Sequence, residues 1–598
     1  MKTQKMIKTM KSKSFIAALF AISTLGLTTS CADMFDIDST RVVYEKDHNL
    51  DSTADSVYTT LGVLQCMQQI ADRYVILGEV RGDMCDINAN TKGSLRNLSN
   101  FEFDKENEYL CARDYYAVIN NCSYALAKMD TTLTQNNNRV MIDEFAALLG
   151  IRAWTYLQLA INYDEVPYYD YKELVTTMED FDKVGKQKLN VKQLAEVLIP
   201  QLEPYVDYLM PTFVSSIPQN AYPILRLIIA DLYLWSDDYQ NAYAYYNDYL
   251  FNNKKFETKI SKSGEVLTLN RVLKPAPFME WNGKTDKYST VKLNADAEVY
   301  TSTSVATSGY ENLAYIKMET DQTKGTTSEL PSLFYSYDNT HHLVPSASWR
   351  ELSNEQVVFF ADKDGLGNLK KLYKSTTIGD MRAAGEPYAF KGTDDKDNEF
   401  QAYTKLGSHS LQTINIYRRT MVYLRCAEAL NSMAYQLDKL GTEDSLARNC
   451  AERAFYVLKD ASKAFPIKAD SADLVKFKTA IQSTFVGVHA RGAGDVAYDT
   501  VHYVLKPAVI ANRLGKPADA KLTLSDTISY VDELLIDELA LETTMEGNRF
   551  GDLIRFAKRR GEPEFLAKRV ASRKGKDNFD AALYDKLMDQ TMWYLPLK

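Results

Sequence analysis

The 598-residue chain has no Cys-x-x-Cys pair, no His-Glu-x-x-His, no GxxxxGK[ST] loop and no GxSxG elbow. Zinc ribbons, helix-borne zinc hydrolases, P-loop enzymes and α/β-hydrolases therefore lack their defining residues here. Histidine is scarce, six in all, and the adjacent His341 and His342 point apart on any regular backbone, which makes a poor chelating pair. No metal and no cofactor are expected. No basic block follows the first fourteen positions, and a net charge of −9 argues against binding nucleic acid, which needs clustered Lys and Arg. No run of eighteen apolar residues occurs; even LRLIIADLYLW is broken by Arg226 and Asp231, so no membrane-crossing helix is expected. Cysteine is too sparse for a disulfide scaffold. Apart from Cys31, the cysteines are expected to be free and buried. Cys111 and Cys122, on one helix, would lie roughly 16 Å apart, too far to bridge.

What is present starts at the N-terminus. Lys2, Lys5, Lys8, Lys11 and Lys13 precede the apolar run Phe15 to Leu27, which is too short to span a bilayer, and small residues then lead into Cys31. The pattern is that of a bacterial lipoprotein signal over residues 1–30, with Cys31 acylated, by palmitate for example, and becoming the first mature residue. Each buried methylene of such chains adds about 0.8 kcal/mol of membrane affinity. The usual Leu is displaced to Leu27, with Thr28 in its place, and an ordinary cleaved signal peptide is the alternative. Residues 31–50 read as a polar tether carrying Asp33, Asp36 and Asp38.

Tyrosine is abundant, 39 against five tryptophans, and rings with a polar handle suit both helix packing and sugar stacking. Ile142, Phe145, Leu149, Ala153, Tyr156 and Ala160 recur at steps of three and four, predicting a helix with one apolar face that stops between Asp164 and Pro167. LRLIIADLYLWSDDYQNAYAYYNDYL reads as two antiparallel helices joined at Ser236 to Asp238. Ala230, Tyr233, Ala242 and Tyr246 sit at the small and aromatic spacing of a tetratricopeptide repeat. A second pair runs from MVYLRCAEALNSMAYQL to LARNCAERAFYVLKDASKAF. Such pairs must stack to bury their faces. The expected fold is mostly α, a helical scaffold over about 51–254 and 406–598 with a loop-rich, mixed insertion over about 255–405.

Glu538 and Glu542 at helical spacing suggest a solvated face or Arg pairing, not the acid pair of a glycosidase. Glu546, Arg549, Asp552 and Arg555 alternate in sign at steps of three, predicting a structural ion-pair lattice. Arg81-Gly82-Asp83 is expected to be a turn, not an adhesion site.

Several segments together resemble the SusD/RagB family of Bacteroidetes surface lipoproteins. LGVLQCMQQIADRYVILGEVRGDM resembles its first helix and "GD" turn, and EFAALLGIRAWTYLQLAINYDEVPYYD its R-A-x-x-Y-x-x-L helix, with Asp164 replacing a Gly in the turn that follows. VYLRCAEAL is similar to its L-R-x-A-E-A helix, DELALETTMEGNRFGDLIRF to its closing E-G-x-R-x-x-D-L-x-R segment, and YLPLK to its final strand. The resemblance implies one SusD-like domain over 51–598 that binds glycan, has no catalytic residues, and delivers its ligand to a SusC-like TonB-dependent outer-membrane transporter. A peptide-binding or structural subunit of such a complex is the alternative. Candidate ligand contacts are Trp281, Tyr335, Tyr337 and Trp349, large rings in a polar, non-helical context, with Asn88 in the loop after the first helix.

Overall fold

The computed structural model describes residues 50–252, 312–374, 390–459 and 504–597. Breaks fall at 51–52, 105, 176, 185–186, 209–218, 324, 337, 356–358, 364, 367–368, 407–412 and 442–443; residue 380 and the segments 279–282, 287–290 and 497–498 are also described. Cys31 and most of the expected tether lie outside these residues. Leu50, expected at the tether's end, is already part of the fold: it is fully buried and exchanges backbone hydrogen bonds with Lys128 and Asp130.

Ten helices form the scaffold: α1 (Thr53–Glu79), α2 (Ala112–Lys128), α3 (Ile142–Tyr163), α4 (Val191–Leu202), α5 (Leu225–Trp235), α6 (Tyr239–Asn247), α7 (Arg419–Leu440), α8 (Asp444–Lys459), α9 (Leu524–Glu542) and α10 (Arg549–Arg560). Each packs on the next, α7 returning to pack on α6 after the chain has passed through the strand-rich region between them; α10 closes the stack against α1. Local chemistry sets the ends. Asn190 and Thr523 form capping boxes with Gln193 and Asp526, Asp238 caps α6, and Gly441 ends α7 at φ +65.

The α5–α6 turn falls where the sequence places it, and Ala230, Ala242 and Tyr246 are buried between helices. Tyr233 is only half-buried, its ring 5.7 Å from that of Tyr245. The predicted face of α3 is buried, and so is nearly every other residue of the helix, because α2, α4 and α5 contact it from several sides. Asp164 ends it at φ +63, a left-handed position that Asp tolerates better than most residues. The C-terminal segment is no strand, although the Leu595 N–H donates to the Asn162 carbonyl at 2.8 Å.

The ion-pair lattice exists, but its partners are mostly on other elements. Arg549 grips Asp83 through Nε and Nη2 at 2.6 and 2.7 Å, and Arg555 holds Glu428 at 3.0 and 2.8 Å. Glu546 binds Lys405 and Arg418, and Arg418 reaches Glu542 at 3.1 Å, all four buried. Of the two readings of Glu542, a solvated face or Arg pairing, the second holds: it is a core carboxylate paired with Arg418. Of the spaced set, Asp552 and Arg555 pair with each other at 2.6 Å. The Arg-Gly-Asp turn is buried at both ends: Arg81 lies 4.4 Å over the Phe550 ring, and Asp83 is held by Arg549. Cys66, Cys85, Cys111, Cys122, Cys426 and Cys450 are free, the second and the last three buried.

Candidate functional site

The site is built by pairing across long sequence distances. The strand Cys85–Ile87, just after α1, runs antiparallel to Leu343–Pro345, with Asp86 opposite Val344. This lays the Asn88–Thr91 loop against Asn339, His341 and His342. Asn88 Nδ2 donates to the His341 carbonyl at 2.9 Å, Asn90 Nδ2 to that of Asn339 at 2.6 Å, and Thr91 Oγ1 to that of His342. The hairpin Phe390–Thr393/Glu399–Ala402 forms the third wall. Its turn is organised by Asp394, which accepts the amides of Lys396 and Asn398 at 2.9 Å each. Those donors favour the ionised form and bring the Asp394 carboxyl down to about 2.

His341 locks the three parts together. Its buried ring donates from Nε2 to the Gln401 carbonyl at 2.8 Å, so Nδ1 is the bare nitrogen and accepts the Ser336 hydroxyl at 2.9 Å. Ser336 Oγ in turn accepts the Thr340 and His341 amides. A serine beside an imidazole can be a nucleophile and its base, but this hydroxyl is saturated by its own loop and the ring is oriented by a carbonyl, not a carboxylate. The pair is structural.

Burial holds His341 below its ordinary value, against the opposing pull of the Gln401 carbonyl and of Asp338. The folded state therefore binds fewer protons than the unfolded one just below pH 6.5, and the stability His341 contributes is present above that pH and lost as pH falls. Amide exchange in 88–91 and 336–342, corrected for intrinsic rates, is expected to rise from pH 7 to 5 in the natural chain and to lose that dependence in His341→Gln. Equal pH profiles would remove His341 from the role.

Between these walls lies a groove of about 690 Å³, within the range of small-ligand sites. It is lined by Asn88, Asn90, Asp338, Lys391, Asp395, Glu399 and their neighbours. The acids with displaced acidity, Asp338 and Asp394, are both displaced downward, by the Thr340 hydroxyl and by the Asn398 amide. That is opposite to what a proton donor in glycoside cleavage requires.

The sequence-derived candidates divide. Asn88 lies at the groove, but its side chain is engaged in holding the loop: Oδ1 accepts the Asn90 amide and Nδ2 serves His341. Trp349 is a correction. It is completely buried, edge-on to Tyr403 at 5.8 Å, because Ser346 caps its short helix and turns it into the core. Tyr335 is corrected likewise, 8% exposed and clustered with Phe400 and Ala402. Trp281 stands in the strand Met279–Asn282 opposite Tyr288, and Tyr337 lies outside the described residues. The groove brings neither Trp349 nor Tyr335 to its surface. Sequence reasoning missed Lys391, Asp395, Lys396, Glu399 and Gln401. The signal was the Asp394-Asp395-Lys396-Asp397-Asn398 turn flanked by two short alternating runs.

Compared with known proteins, the chain matches no protein-family model and no curated protein. Solved structures do match. A SusD superfamily protein from Bacteroides vulgatus superposes with a TM-score of 0.52 at 12% identity, over 92% of this chain and 96% of that one. The chain has the SusD fold. A SusD superfamily protein from Bacteroides thetaiotaomicron matches at 0.50 and 14% identity, over 91% and 94% of the two chains. A SusD-like carbohydrate binding protein from Bacteroides vulgatus matches at 0.49 and 16%, over 85% and 84%. In this SusD-like chain the helical stack forms the body. Among the described residues, every strand of three residues or more apart from Cys85–Ile87 falls between 279 and 418. The groove lies where that strand-rich region meets the loop after α1.

Proposed function

We propose that the protein is a surface lipoprotein that captures polysaccharide or oligosaccharide and passes it to a SusC-like TonB-dependent transporter. Acyl chains on Cys31 tether it to the outer membrane, and the groove holds the ligand without cleaving it. The observation that carries this reading is the groove itself: polar, about 690 Å³, held open by a hydrogen-bonded lattice, with its displaced carboxyls shifted away from proton donation. Burial of Trp349 and Tyr335 favours a second reading, a peptide-binding or structural subunit of the same kind of complex.

Affinity electrophoresis through a panel of soluble polysaccharides separates the two. Retardation by at least one polymer is expected, weakened about tenfold or more, roughly 1.4 kcal/mol, in Gln401→Ala and Glu399→Ala. A panel with no effect on migration would remove the glycan reading. The anchor is tested alongside: Cys31→Ala should yield folded protein that no longer fractionates with the outer membrane.

A further inference from the structure

The groove's charges fall into two sets. Asp394 is committed to its own turn, and Asp338 accepts the Thr340 hydroxyl at 2.7 Å; their donors hold both in the ionised form. Lys391, Asp395, Lys396 and Glu399 are exposed, and their side chains make no hydrogen bond or ion pair among the described residues. The hairpin register pairs Lys391 with Gln401 and Thr393 with Glu399, which puts all four on one face. The described lining thus carries four carboxylates against two ammonium groups. Its one ring, Phe400, is 6% exposed and packs against His341, so it offers no stacking platform.

Resting on the glycan reading above, we propose that this groove selects neutral, hydroxyl-rich glycans, held by hydrogen bonds from Glu399, Asp395, Gln401 and the two lysines, and rejects uronate-bearing and sulfated ones. A carboxylate accepts hydroxyl protons from a sugar diol, an ammonium group donates to hydroxyl oxygens, and an amide does both. A sugar bearing its own anion meets an excess of like charge, and one uncompensated repulsion at contact distance in water amounts to roughly a fivefold loss.

The test is affinity electrophoresis and calorimetry of the full chain with galactomannan, xyloglucan and glycogen as neutral polymers, and polygalacturonate and dextran sulfate as anionic ones, at low and high salt. The expected result is binding to a neutral polymer, insensitive to salt, with the anionic polymers at least about fivefold weaker. Glu399→Gln should narrow that gap. Tighter binding of polygalacturonate or dextran sulfate, falling as salt rises, would overturn the selectivity while leaving glycan capture intact. Binding to none of the five would overturn glycan capture itself, and this inference with it.

Discussion

Replacing Gly78 by alanine is expected to cost about 3–5 kcal/mol, or to prevent folding. A Cβ built there would stand 1.9 Å from the carbonyl oxygen of Gly547 and 2.3 Å from its carbon, both backbone atoms that cannot rotate away. Gly547 is equally confined, at φ +81 with Tyr74 ring and carbonyl atoms 2.9 Å from where its own Cβ would be. The two backbones cross where α1 meets the turn entering α10. There Glu79 accepts the Gly547 amide at 2.8 Å and that of Asn548 at 3.2 Å. Overpacking costs about 1–3 kcal/mol, and buried amides torn from their acceptor cost about 1–3 kcal/mol each. That total is a large part of the 5–15 kcal/mol typical of a domain. Gly62, also in α1, is the control: no atom lies within 4 Å of its Cβ position, so alanine there should add roughly 0.5–1 kcal/mol. Urea unfolding of both variants decides the matter, and equal stability of Gly78→Ala and the natural chain would refute the crossing.

Arg549→Met should be comparably damaging, about 3–5 kcal/mol, the usual result of removing one partner of a buried ion pair. Asp83 would be left buried and charged, and Nη1 would no longer reach the Ile536 carbonyl, now 2.8 Å away. The pH dependence gives a sharper signature. Burial alone would raise the Asp83 carboxyl, but the Arg549 guanidinium outweighs it and holds the group below its ordinary 3.8. In the natural chain this contribution is present above that pH and lost as pH falls through the lower folded value. Without Arg549, burial is opposed only by the more distant Arg569 guanidinium and a backbone hydrogen bond, so the folded value rises and the sign reverses. The variant's deficit should then shrink on acidification toward pH 4. Adding Asp83→Asn should recover part of the loss. A pH-independent deficit, with no recovery in the double variant, would show that the pair contributes packing alone.

Both predictions join the start of the chain to its end, and neither contact is visible in sequence. The spacing of Glu546, Arg549, Asp552 and Arg555 shows that charges are arranged along α10 and the turn before it but cannot say against what. Their partners Asp83, Glu428, Arg418 and Lys405 lie from 127 to 466 positions away on elements that only folding brings near. Local features read well because they are decided locally. The α5–α6 turn follows from Asp238 and the loss of apolar residues around it, and the end of α3 from Asp164 and Pro167.

The site divides along the same line. Asn88 was legible as a residue of the loop after α1, because a helix end followed by polar residues marks a loop. Trp349 and Tyr335 were misplaced, because an aromatic residue in polar surroundings packs inward or outward according to what lies beneath it. Here Ser346 starts a short helix that turns Trp349 onto Tyr403.

From sequence alone follow the alternation of helices and strand-rich segments, the helix-pair stack, the signal-like N-terminus with Cys31, and the absence of the motifs of common catalytic centres. Periodicity, caps and composition act within a few residues, and these properties are encoded there. Tertiary structure decided which charges were buried and paired, which rings became core, and where the groove opened. Those outcomes depend on contacts between distant segments, such as Asp86 beside Val344 and His341 against Gln401. No local pattern carries their register.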